Sequence, residues 1–102
     1  MIDEIKQFAR TGEFRLTRHA AEEIAEENIS LSELLESIMS GEIIEDYPAH
    51  RRGHCCLVNG TTNEGRPLHS VCTIGRPRLL IITVYEPMLP KWITPTQRRE
   101  LL

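Results

Sequence analysis

Residues 67–85 read PLHSVCTIGRPRLLIITVY, and the way this stretch divides decides the fold. Residues 68–74 and 79–85 alternate with a period of two, the pattern of strands, and the GRPR between them is a turn. Strands joined by so short a connection pair antiparallel. The same period extends upstream. Residues 55–59 form another run, separated from 68–74 by the polar, glycine-bearing turn 60–65, and residues 42–47 form one more, closed by Pro48. The AHRRGH segment at 49–54 is loop-like. Residues 42–85 therefore predict a four-stranded, mainly antiparallel sheet.

Before Gly41 the period becomes helical. Ile2, Ile5, Phe8 and Ala9 share one face of a first helix that stops at Gly12. Thr17 is placed to cap a second, whose inward stripe is Ala20, Ala21, Ile24 and Ala25. Ser30 and Glu33 form an S-x-x-E capping box for a third, in which each side chain satisfies an orphan backbone N–H. That helix carries Leu31, Leu34, Leu35, Ile38 and Met39 and ends at Gly41. Helices at 2–40, a sheet at 42–85 and an irregular tail at 86–102 make one α+β domain over residues 1–102, with the N-terminal helices on one face of the sheet. Pro87, Pro90 and Pro95 break the tail, and Trp92 is its expected anchor.

Alternation also assigns faces. Leu68, Ser70, Cys72 and Ile74 lie on one side of their strand, and His69, Val71 and Thr73 on the other. In the next strand Leu80, Ile82 and Val84 oppose Leu79, Ile81, Thr83 and Tyr85. With the purely apolar faces turned to the helices, His69, Thr73, Thr83 and Tyr85 share the opposite, partly open face. His69 stands where an apolar residue would serve packing better, so it is either a structural histidine or a piece of chemistry.

Composition narrows the class. In 102 residues, 40% are hydrophobic and 26% charged, as in ordinary globular domains. No apolar run approaches the roughly 18 residues of a membrane span. The charged, amphipathic start MIDEIKQFAR argues against a secretory signal, so a cytoplasmic protein is expected. Three cysteines, two of them adjacent, make a poor disulfide framework and fit a reducing compartment. The net charge of −3 hides a division: residues 1–46 sum to −8 and residues 47–102 to +5. A basic second half suggests a polyanionic partner.

Metal chemistry is disfavoured. His54, Cys55, Cys56, His69 and Cys72 offer enough donors for zinc. On strands, however, Cys55 and Cys56 point to opposite faces, as do His69 and Cys72, and no C-x-x-C is present. Cys56 and Cys72 read better as small core residues. No metal and no cofactor is expected. His19 lies in the first turn of the second helix with Glu23 one turn on. The helix N-terminus and the carboxylate act on its proton in opposite senses, which suits proton transfer, although an exposed histidine in a charged helix is the plainer account.

The stretches RLTRHAAEEIAEENIS, GEIIEDYP, GRPLHSV, LIITVYEP and KW…RR together resemble the bacterial family called domain of unknown function 4258, over roughly residues 14–99. That family is itself similar to the RelE and barnase–EndoU–colicin ribonucleases. The resemblance implies helices followed by an antiparallel sheet, and a toxin-like protein encoded beside a small zinc-finger antitoxin. It carries polar motif residues onto His19, His69, Thr83 and Tyr85. Residues 49–54 depart from the pattern, being more basic than the acidic, aromatic-containing loop of close relatives. Ser70 and Cys72 also stand where β-branched apolar residues are usual. The implied activity is metal-independent RNA cleavage by 2′-hydroxyl attack, with two histidines dividing the proton transfers. Tyr85 and Thr83 would orient base or phosphate, and Arg66, Arg98 and Arg99 would hold phosphate charge. A non-catalytic RNA-binding or protein-interaction module on the same scaffold is the alternative.

Overall fold

The computed structural model describes residues 1–75 and 78–99. The expected GRPR turn thus falls partly outside the described residues, as does the end of the expected tail at 100–102. The three helices form where their periodicity places them. Helix α1 spans Ile2–Thr11 and stops at Gly12, whose φ of 78° is the left-handed conformation that glycine adopts without a Cβ penalty. Helix α2 follows at Arg18–Glu26 and α3 at Leu31–Met39. Thr17 caps α2 by accepting from the Ala20 N–H at 3.1 Å. The Ser30–Glu33 capping box is closed by both of its hydrogen bonds.

The sheet is larger than the alternation implies. Between α1 and α2 lies a three-residue strand, β1 (Phe14–Leu16), and the hairpin strands follow as β2 (Glu42–Tyr47), β3 (Cys55–Thr61), β4 (Pro67–Gly75) and β5 (Arg78–Tyr85). Their order is β1-β5-β4-β3-β2. The three hairpin pairings are antiparallel, as expected, but β1 pairs parallel with β5, so the sheet is five-stranded and mixed. Three residues are too few to display a period, and Phe-Arg-Leu before a capping threonine reads equally as a helix approach. The tail differs too: residues 92–94 and 97–98 form a small antiparallel ribbon, β6 (Trp92–Thr94) and β7 (Gln97–Arg98), rather than irregular chain.

The core lies between the helices and one sheet face. Ile5, Ala9, Ala20, Leu34 and Ile38 from the helices meet Cys56, Val58, Leu68, Cys72, Leu79, Ile81 and Val84 from the strands. Glycines 41 and 60 let α3 sit this close. A Cβ on Gly60 would fall 1.7 Å from the Ser37 carbonyl oxygen, and one on Gly41 2.5 Å from Val58 Cγ1. Cys56 and Cys72 are cross-strand neighbours inside this core, whereas Cys55 and His69 belong to the other face.

One expected face assignment is reversed. Leu79 and Ile81 point into the core and Leu80 away from it. A β-bulge explains this. The ladder passes from Val71↔Thr83 to Cys72↔Ile81, leaving Ile82 as an extra residue on β5. The bulge shifts the phase by one, so the expected alternation holds for Thr83, Val84 and Tyr85 and is inverted for the half of β5 before it.

Beyond the end of β1, the outer edge of β5 is covered by α2. Thr17 donates its backbone N–H to the Ile81 carbonyl at 2.9 Å and its hydroxyl to the Ile82 carbonyl at 2.8 Å. Glu23 accepts from the Val84 N–H and Glu27 from the Glu86 N–H, each at 2.9 Å. Side chains thus satisfy an edge whose backbone groups would otherwise be open to pairing with another chain.

Candidate functional site

The sheet face away from the helices gathers the predicted polar residues. His69 stands opposite Tyr85 across β4 and β5, and Val71 opposite Thr83. The expectation that His69, Thr73, Thr83 and Tyr85 share one face is therefore met. The expectation that this face is partly open holds for Thr83 and Tyr85 and fails for His69 and Thr73. His69 is 0% exposed and Thr73 4%, while Thr83 and Tyr85 remain partly exposed.

The cover comes from the tail. Trp92, 3% exposed, packs its ring edge-on against His69 with centroids 4.4 Å apart. Arg98 lies over the same indole at 4.6 Å and grips Glu45 of β2 through two hydrogen bonds of 2.6 and 2.7 Å. Tyr47 donates to the same Glu45 carboxylate. This arrangement fixes the charge states. The Arg98 guanidinium holds the Glu45 carboxyl below its ordinary range, and burial followed by the Glu45 contact raises Tyr47 to about 12.

His69 is held at both ring nitrogens. Nε2 lies 2.6 Å from the Pro95 carbonyl oxygen and Nδ1 3.1 Å from the Tyr85 hydroxyl. A carbonyl only accepts, so in the neutral ring Nε2 carries the proton, Nδ1 is the acceptor, and the Tyr85 O–H donates to it. Burial pulls the imidazole below its ordinary range, outweighing the Pro95 contact and the Glu45 charge that favour protonation. Burial likewise raises Tyr85.

The other predicted residues divide. His19 is exposed at the sheet edge, its Nε2 3.3 Å from Glu23. Because Glu23 also accepts from the Val84 N–H, it ties His19 to β5 one residue from Tyr85. Burial raises the Glu23 carboxyl, with the Val84 bond and His19 opposing. Arg66 is drawn away from phosphate binding. It donates to Glu86 at 2.6 Å and to the Glu27 and Asn28 carbonyls at 2.8 and 3.2 Å, closing the C-terminal end of α2. Arg98 is similarly engaged by Glu45. Arg99 is exposed, and with Pro90, Lys91 and Arg98 it lines a cavity of about 300 Å³. Sequence reasoning did not single out Glu45, Tyr47 or Pro95. The first two alternate on β2, but their relation to the tail depends on a return of about fifty residues that no local pattern encodes. Among the described residues no group of three His, Cys, Asp or Glu side chains is placed to hold a metal ion, and no helix is long and apolar enough to cross a membrane.

These features define an α+β domain with a helix layer on one sheet face and a histidine–tyrosine cluster beneath a terminal ribbon on the other. Residues 16–86 match the family described as domain of unknown function (DUF4258), and the chain belongs to that family. No curated protein and no solved structure matches it.

Proposed function

We propose that this protein is a metal-independent endoribonuclease of toxin type, acting in the cytoplasm and neutralised by an antitoxin protein, of the zinc-finger kind that the family resemblance implies. The observation that supports this reading is the directed hydrogen-bond chain from Tyr85 to His69 to Pro95. Its polarity makes the tyrosine oxygen an entry point for a proton. As a 2′-hydroxyl attacks phosphorus, its proton passes to Tyr85 Oη while the Tyr85 proton passes to His69 Nδ1. The imidazolium formed keeps its Nε2–H on Pro95 and gains the favourable field of Glu45. The P–O5′ bond then breaks, and His19 supplies the proton taken up by the departing oxygen. Thr83, beside Tyr85 on the partly exposed strip, donates to a phosphate oxygen, and Arg99 offsets the phosphorane charge. His69 in this scheme is a positioning and proton-accepting residue behind Tyr85 and does not touch the substrate.

The test is Tyr85→Phe, which keeps the ring and its packing. RNA cleavage should fall by about 10²–10⁴-fold, the usual size of an acid–base contribution, with growth toxicity lost and the fold unchanged. Wild-type products should end in 2′,3′-cyclic phosphate. Full cleavage by a folded Tyr85→Phe protein would sink the relay. The ribbon over His69 favours a second reading, a non-catalytic RNA-binding or protein-interaction module in which the cluster merely anchors the tail. RNA bound by the wild type without any cyclic-phosphate product would select it.

A further inference from the structure

The hairpin topology sorts charge to opposite ends of the sheet. The β2–β3 loop and the starts of β5 and β1 share one end, because β2 and β4 run toward it and β3, β5 and β1 away from it. That end carries Arg51, Arg52 and Arg78, all exposed. Arg15 joins them: its neighbours Phe14 and Leu16 pack on the core, so alternation sends Arg15 to the same face as Leu80, its partner across the ladder. The loop is held over this face. Gly53 has φ 104°, and the Thr73 hydroxyl donates to the His54 carbonyl at 2.7 Å. The other end is acidic, with Glu33, Glu36 and Glu64 lining a cavity of about 490 Å³. A second cavity, of about 560 Å³, also lies there against α3 and includes Glu36. Neither suits a phosphate.

We infer that Arg15, Arg51, Arg52 and Arg78 form the phosphate-binding track for single-stranded RNA, in place of the predicted Arg66 and Arg98. The contrast in pairing carries this. Arg66 and Arg98 are each held by carboxylates, whereas among the described residues no carboxylate lies within ion-pair distance of Arg15, Arg51, Arg52 or Arg78. Of the acids at this end, Asp46 is occupied by His54, and Glu13 is exposed. Between the loop and the ribbon runs a partly exposed strip of Leu80, Val71, Thr83 and Tyr85. Tyr85 lies five residues along β5 from Leu80, roughly 16 Å at about 3.3 Å per residue. A strand bound along the arginines therefore reaches it by running on down this strip, and an acidic protein would have no use for such a floor of hydroxyl and ring. The placement rests on the ribonuclease reading for the choice of ligand.

The experiment uses the full chain and a fluorescent 12-nucleotide uridine-rich RNA, with binding followed by anisotropy from low to moderate salt. For single strands each phosphate contact adds about 0.7 to the slope of log affinity against log salt. The Arg51→Ala/Arg52→Ala double variant should flatten the slope by about 1.4, and adding Arg15→Ala should flatten it further. Arg10→Ala on α1 should leave it unchanged. The loop substitutions alter exposed side chains only, and circular dichroism checks the fold. A wild-type slope retained by the triple variant overturns the track while leaving an RNA-binding protein in place. A wild type that binds no RNA at any salt overturns the track and the ribonuclease reading together.

Discussion

At the scale of single residues, His69 shows how far alternation reaches. The period of two puts it on the face away from the helices, and it is there, opposite Tyr85. The same pattern says nothing about what comes back to cover that face, since the cover is made by residues more than twenty positions later. Removing an imidazole from an open face would cost little. Here it strands the Pro95 carbonyl and the Tyr85 hydroxyl, so His69→Ala should lower the unfolding free energy by about 1–3 kcal/mol, measured in urea at neutral pH. A pH signature accompanies it. The unfolded imidazole titrates near 6.5, and burial lowers the folded value. As pH falls through the unfolded value, the unfolded chain gains a proton that the folded protein refuses, and stability is lost until the folded value is reached. Wild type should therefore lose stability between about pH 7.5 and 5.5 relative to His69→Gln, which has no such titration. Glu45, held low by Arg98, makes its contribution at higher proton concentration, because its loss begins only below the ordinary carboxylate range. Parallel curves for the two proteins across that window would contradict the burial of a neutral His69.

At the scale of elements, the helices are the most legible part because a cap or a stop marks each of them, although Ala21 and Ala25 of the stripe expected on α2 and Leu31 of the stripe expected on α3 are exposed rather than inward. Ser30 with Glu33, Thr17 and Gly12 all do what their residue types suggest. What stayed hidden has common physical causes. The strand β1 is three residues long, and the bulge at Ile82 is a choice of register between two strands, which neither strand specifies alone. The β6–β7 ribbon is interrupted by Pro95, so its sequence reads as loop. The threonine of T-x-H-A proves to be more than a cap. Its oxygen accepts from α2 and donates to the edge of β5. Thr17→Ala removes both, and should cost about 1–2 kcal/mol, the upper part of the range for losing an N-cap. Thr17→Ser keeps the hydroxyl and should recover most of the loss. Equal destabilisation by serine and alanine would assign the effect to the γ-methyl group instead.

At the scale of the whole molecule, the family match stops at residue 86, and the ribbon that buries His69 lies beyond it. The matched stretch, residues 16–86, holds α2, α3, strands β2 to β5 and the histidine–tyrosine pair, whereas α1 and most of β1 precede it and Trp92, Pro95 and Arg98 close over the pair from beyond its other end. Charge is organised on the same scale. The split between −8 and +5 that composition shows along the chain becomes a spatial separation, because the helices carry seven of the fifteen acids and the hairpin ends sort the rest. A net charge of −3 then describes the surface poorly, since a neighbouring polymer feels the local field within about a Debye length, roughly 8–10 Å. The protein should consequently be retained on a sulfonate cation-exchange resin at pH 7 and low salt, above its sequence pI of about 5.8. Elution should come at moderate salt as screening shortens the reach of the basic end. Charge reversal by Arg51→Glu/Arg52→Glu should move the protein to the flow-through, whereas the same reversal at Arg10 on α1 should leave its elution near that of the wild type. Wild-type protein that passes straight through the resin at low salt would mean that the acids of the helix layer dominate the field even at the basic end, and the separation of charge would have no reach into solvent.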